Sequence, residues 1–150
     1  MKMHSAAELK KYKATLERRA SDKGGATSLL GLKLESFKRG RVVFSMTVKP
    51  KHKQIHGVVH GGVLAMLADT VAAIAAYTAV PQGTHIATVE MKINFLEAVE
   101  SGRLRAEGRV LRAGRNFVVT ECEVYTESGE MAAKALLTFG AARGQSISAK

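Results

Sequence analysis

The chain of 150 residues contains one cysteine, two prolines, no tryptophan and only 5% aromatic residues. A lone Cys122 cannot close an internal disulfide, which excludes a disulfide scaffold and any multi-thiolate zinc or iron–sulfur site and points to a reducing, cytoplasmic compartment. With so few aromatics, and none interleaved with the basic residues, nucleic acid is not the expected partner. A GxSxG nucleophile elbow, a Walker-type phosphate loop and a dinucleotide fingerprint are also missing, so neither a cofactor nor a metal is expected. Residues 1–19 are charged throughout and lack the apolar core of a secretion signal. The one long apolar run, Gly61 to Val80, carries Asp69 near its middle. A central Asp costs roughly 2.5 to 3.5 kcal/mol on insertion scales, and no membrane span is expected.

What is present is the composition of a soluble globular domain, 46% hydrophobic and 24% charged, with a net charge of +10. The excess is local: residues 1–53 hold 14 Lys/Arg against 4 Asp/Glu, and residues 54–150 hold 9 of each. A basic segment of this kind favours phosphate-bearing partners.

The hydrophobic period divides the chain. Ser5, with Glu8 three residues later, starts a basic helix to Arg19 with Leu9, Tyr12 and Leu16 on one face, closed by Asp22-Lys23-Gly24-Gly25. Alternation at Leu30, Leu32 and Leu34, a turn at Lys38-Arg39-Gly40, and alternation at Val42, Phe44, Met46 and Val48 predict two strands. A polar loop then leads into an Ala-rich helix over 61–77. Four more strands follow: Val89 to Phe95 with odd positions inward, Leu104 to Val110, and the pair Phe117–Tyr125 and Met131–Phe139 around Ser128-Gly129. The fold class is α+β, one long helix against a six-stranded antiparallel sheet, with a helical extension at 1–24, the main domain at 25–142 and a tail at 143–150.

At 100° per residue, Leu64, Leu67, Val71 and Ile74 lie more than about 120° from Asp69, while Gly62, Ala65, Ala72, Ala73 and Ala76 lie within about 60°. The bulky stripe should face the sheet. Asp69 would then project from a surface of small side chains, where another backbone or a ligand can approach it. A carboxylate there suits general-base or nucleophilic work. His60-Gly61-Gly62 runs directly into the helix start, where backbone N–H groups have no intrahelical partner and can bind an anion or polarise a carbonyl.

Gly57-Val58-Val59-His60-Gly61-Gly62-Val63-Leu64-Ala65-Met66-Leu67-Ala68-Asp69 closely resembles the signature of PaaI-like hotdog-fold acyl-CoA thioesterases. Ala87 to Leu96, Gly102 to Gly114 and Gly129 to Phe139 resemble that family's later strands, so the likeness spans residues 29 to 140. The resemblance implies a hotdog fold, a homodimer with shared active sites doubled to a homotetramer, and an acyl-CoA substrate with an aryl, arylacetyl or medium-chain acyl group. It further implies that the Gly61 N–H polarises the thioester carbonyl while Asp69 of the opposing subunit attacks or activates water. Thr88 would orient that water. Six residues before His60 the family usually has Asn and this chain has Gln54, one methylene longer, in a position to hold water or the carbonyl. His60 would brace the loop. Gly62, Lys53, Arg112 and Arg115 would contact substrate, the last three forming a basic rim for the coenzyme A phosphates. The alternative is a hotdog domain that binds acyl-CoA as a sensor without turnover. Such regulators carry a DNA-binding module, for which residues 1–28 are too short.

Overall fold

The computed structural model describes residues 3–21 and 26–143. The elements run α1 (Ala6–Ser21), α2 (Ala26–Leu30), β1 (Lys33–Lys38), β2 (Arg41–Thr47), a 3-10 turn (Pro50–His52), α3 (Gly61–Ala79), β3 (Thr84–Phe95), β4 (Arg103–Ala113), β5 (Phe117–Tyr125) and β6 (Met131–Arg143). The strands form one antiparallel sheet in the order β1-β2-β4-β5-β6-β3, and α3 lies on it, packed against β2 to β6. This is the hotdog architecture. The terminator Asp22 to Gly25 and the tail beyond Arg143 fall outside the described residues.

The sheet curls round α3 because it carries extra residues. Glu35 in β1, Val89 in β3, Leu111 in β4 and Ala132 in β6 each sit at a register shift with no partner of their own, and such bulges bend a strand and raise its twist. Contact is closest under β4. A Cβ on Gly108 would lie 2.8 Å from the Val71 carbonyl oxygen, so only glycine lets the strand reach the helix there. Leu64, Leu67, Val71 and Ile74 are buried, as the periodicity predicts, in one cluster with Phe44, Leu104, Leu137 and Phe139. The 19-residue α3 has the length and hydropathy of a membrane span, but its apolar positions are used by the core of this same chain.

Three expectations need correction. Leu30 ends a short helix instead of opening a strand: Gly31 takes a left-handed φ of 61° and stops α2, so Leu30 and Leu32 reach the core from a helix end and a link. In β2 every residue from Val42 to Met46 is buried; Val43 and Ser45 are registered against Glu107 and Arg105, whose side chains pair with each other. In β3 the bulge at Val89 flips the alternation. Thr84 and Ile86 face inward before it, Met91 and Ile93 after it, and Val89 itself is exposed.

α1 begins with the expected capping box, the Ser5 N–H donating to Glu8 at 2.7 Å and the Glu8 N–H to Ser5 Oγ at 3.2 Å. It docks through Tyr12, whose ring lies 4.4 Å from Tyr77 and 6.2 Å from Phe37. On the opposite sheet face, the Lys134 ammonium and the Tyr125 hydroxyl hold the Glu123 carboxyl below the usual carboxylate range. Their contribution is present at neutral pH and is lost as pH falls through that lowered value.

Gly108→Ala should cost about 1 to 3 kcal/mol through overpacking against the α3 backbone, read from the midpoint of urea unfolding with the slope unchanged. A stability equal to wild type would show that β4 can withdraw from α3.

Candidate active site

α3 starts at Gly61 with His60 as its N-cap. The four donors of this helix end are sorted by one residue. His60 Nδ1 accepts the Gly62 N–H at 2.8 Å, so the proton of that ring sits on Nε2, and the His60 carbonyl takes Val63 at 2.8 Å and Leu64 at 3.3 Å. Among the described residues the Gly61 N–H has no acceptor, which leaves it as the donor open to a ligand. Gly61 lines a groove of about 350 Å³ with Val58, Leu64, Phe95, Leu96 and Val99. Phe95 and Leu96 are exposed there, and the Phe95 ring would lie 3.3 Å from a Cβ on Gly61.

The approach to that end is held by His52, in the polar loop before α3. It is buried, its Nδ1 accepts the Lys49 N–H at 3.0 Å and its Nε2 donates to the Leu29 carbonyl at 2.8 Å. Its own carbonyl takes the His60 N–H at 2.9 Å. One residue thereby ties α2, the loop and the N-cap together. Gln54 opens the turn that follows, its N–H bonded to the Val58 carbonyl at 2.8 Å and its carbonyl to the Gly57 N–H at 3.0 Å, with Gly57 at a φ of 83°.

Asp69 lies two turns further along α3. The Thr88 hydroxyl donates to its Oδ1 at 2.8 Å, a contact that exists because the β3 bulge turns Thr88 toward the helix. The small-residue face is divided at this point: Ala72 and Ala76 are buried within the chain, while Ala73 is only partly so. On the Ala73 side Asp69 opens into a cavity of about 330 Å³ bounded by Leu16, Leu32, Phe44, Ala73 and Ile74.

Gly61 and Asp69 are eight residues apart, about 12 Å along the axis at 1.5 Å per residue, so one chain cannot present both to the same carbonyl. Lys53 is exposed beside the α3 start, paired backbone to backbone with Val59. Arg112, near the end of β4, and Arg115, on the β4–β5 turn, are exposed; Arg115 shares a depression with Ala79 and Val80 at the far end of the helix. The three do not form one rim within a chain. Cys122 is buried, and burial pushes its thiol up. Among the described residues no three His, Cys, Asp or Glu side chains gather as metal ligands would.

The fold is the hotdog fold, and comparison with known proteins gives the class and the family. The Thioesterase superfamily matches residues 56–133. The proofreading thioesterase EntH of Klebsiella pneumoniae is 30% identical over 110 residues, 73% of this chain and 80% of that protein. The 1,4-dihydroxy-2-naphthoyl-CoA hydrolase of Escherichia coli is 26% identical over 129 residues, 85% of this chain and 95% of that one. The crystal structure of the Haemophilus influenzae thioesterase HI1161 superposes with a TM-score of 0.81 at 26% identity, over 91% of this chain and 94% of that chain. The chain belongs to the thioesterase superfamily.

Intact protein should leave Cys122 unalkylated by iodoacetamide at neutral pH, with one adduct by mass spectrometry only after unfolding. Fast modification of the native protein would place that strand nearer solvent than described.

Proposed function

We propose that the protein hydrolyses the thioester of an acyl-coenzyme A, with Asp69 activating water or attacking directly, and the Gly61 N–H stabilising the oxyanion from the neighbouring subunit. The observation that carries this reading is the division of labour on α3. One end offers a single open N–H, and a carboxylate held by Thr88 sits about 12 Å away beside an apolar cavity. Acyl transfer needs both a preorganised donor and a base, and two copies are required to bring them together. The occasion for pairing is β3, a 12-residue strand at the edge of the sheet, with Val89 and the end residue Phe95 exposed on it. An unpaired edge of that length is a template for a second copy, and a two-fold pair would yield two equivalent sites. Further pairing of dimers into a tetramer fits the same reading.

Thr88 fixes the carboxylate and can share a water with it. Gln54, beside the loop that leads to Gly61, supplies an amide for water or carbonyl. His60 positions the donor by occupying the Gly62 N–H, so Gly62 would serve the substrate through its missing Cβ and not through its N–H. Lys49, Lys51 and Lys53 lie at the Gly61 end, where coenzyme A phosphates would be attracted.

Asp69→Asn should abolish most turnover of a suitable acyl-CoA while the protein still folds and associates. Gly61→Pro removes the donor at a position that accepts proline: Pro is favoured at the first helical position, and the extended ψ of 134° at His60 suits a residue before proline. It should lower kcat by about 10²- to 10³-fold, whereas Gly61→Ala, with the same Cβ against Phe95 but an intact N–H, should retain most activity. Mixing the Asp69→Asn and Gly61→Pro proteins after unfolding should restore about a quarter of wild-type activity, since half the dimers then hold one intact site of two. No recovery with confirmed subunit exchange would place both groups in one chain's site and sink the shared arrangement. Replacing Lys49, Lys51 and Lys53 with Ala should raise KM, and the rise should shrink as salt is added.

A further inference from the structure

We propose that Leu16 of the N-terminal helix closes the acyl pocket and sets the size of the acyl group, which is neutral and apolar; this rests on the thioesterase reading above. The pocket is the cavity of about 330 Å³ beside Asp69. That volume is at the small end of ligand sites, enough for an acyl group and too small for a coenzyme A nucleotide as well. Its walls differ in how much they can vary. Leu32, Phe44 and Ile74 are buried core residues held by the sheet and α3. Leu16 is only half-buried and comes from α1, an element outside the sheet and α3.

The position of Leu16 is nevertheless determined. Tyr12, one turn earlier on the same face, packs between Tyr77 of α3 and Phe37 of β1, and the His4 ring centroid lies 4.9 Å from that of Tyr77. Those contacts fix α1 on the body while Lys10, Lys11, Lys13 and Arg18 stay exposed, and they bring Leu16 to the wall of the cavity that Ala73 also lines. The helix that the charge pattern marked as basic thus contributes through its apolar face.

The lining also defines the chemistry of the acyl group. Its polar members are Asp69 and the hydroxyls of Thr27 and Thr70, and no cationic side chain reaches it among the described residues. A terminal carboxyl group on the acyl chain would meet the Asp69 carboxyl in a largely apolar site, which costs heavily. Acyl groups such as succinyl should be rejected, and hydrocarbon or aryl groups accepted.

The test compares the full-length wild type with Leu16→Ala, Leu16→Trp and Lys13→Ala on acetyl-, hexanoyl-, decanoyl-, phenylacetyl- and succinyl-CoA. Leu16→Ala should move the kcat/KM ratio of decanoyl to hexanoyl upward by about tenfold, and Leu16→Trp should move it downward by a similar factor, the scale of methylene-sized discrimination in apolar pockets. Lys13→Ala, on the exposed side of the same helix, should leave the ratios unchanged. Succinyl-CoA should be the poorest member for every variant. Identical ratios in Leu16→Ala and Leu16→Trp, or succinyl-CoA as a preferred substrate, would overturn the assignment. If the wild type hydrolyses no member, the thioesterase reading fails separately; calorimetric binding of the same panel to proteins carrying Asp69→Asn with each Leu16 variant then decides the pocket by the same shift or its absence.

Discussion

The contact between Gly108 and the Val71 carbonyl sets the geometry on which the rest of the protein depends. A sheet can wrap a single helix only if its central strands come within backbone distance of that helix, and here the strand reaches it at a residue without a Cβ. The bulges at Glu35, Val89, Leu111 and Ala132 supply the curvature, and the small residues of α3 let β3 close over one flank. An Ala-rich helix is usually a poor core element because each Ala buries little area. In this fold it is the right one, since proximity matters more than bulk, and the fully buried bulky residues of the helix are Leu64, Leu67, Val71 and Ile74.

That closeness leaves few places for polar chemistry, and the protein uses two. At the helix start a donor is free because the other three early N–H groups are satisfied within the cap. Along the helix a carboxylate survives at the line where the covered flank meets the cavity. Its partner Thr88 arrives through a backbone irregularity: without the extra residue at Val89, the strand would turn that hydroxyl to the other face of the sheet. The bulge is therefore part of the site as much as part of the fold.

Much of this was legible in the sequence, for physical reasons that differ by element. The period of α3, the hairpin at Ser128-Gly129 and the capping box at Ser5 and Glu8 are local patterns, and local patterns survive folding. The motif His60-Gly61-Gly62 with Asp69 pointed to the site by resemblance, and the geometry adds which N–H is open. Three features were not legible. The strand bulge at Val89 depends on pairing with β6, so alternation alone put Thr88 on the wrong face. Leu30 fits a strand or a helix end equally well, and only the left-handed Gly31 separates the two. His52 looked like one more charge in a basic run, because burial and its two ring hydrogen bonds come from α2 and the loop, which are distant in sequence.

The basic first third also divides on the structure, and the division bears on how the site works. Lys49, Lys51 and Lys53 belong to the end of the molecule where Gly61 opens, whereas the lysines of α1 surround a helix whose working face is Tyr12 and Leu16. Arg112 and Arg115 lie toward the opposite end of α3. A helix of 19 residues is about 28 Å long, well beyond the Debye length of about 8 Å at physiological salt, so these cations do not act on one phosphate within a chain. Only an arrangement that brings the end of one helix beside the middle of another lets the same short stretch of charge serve both donor and carboxylate. The electrostatics and the 12 Å gap between Gly61 and Asp69 thus both support the reading proposed above, in which the unit of function is a pair of chains.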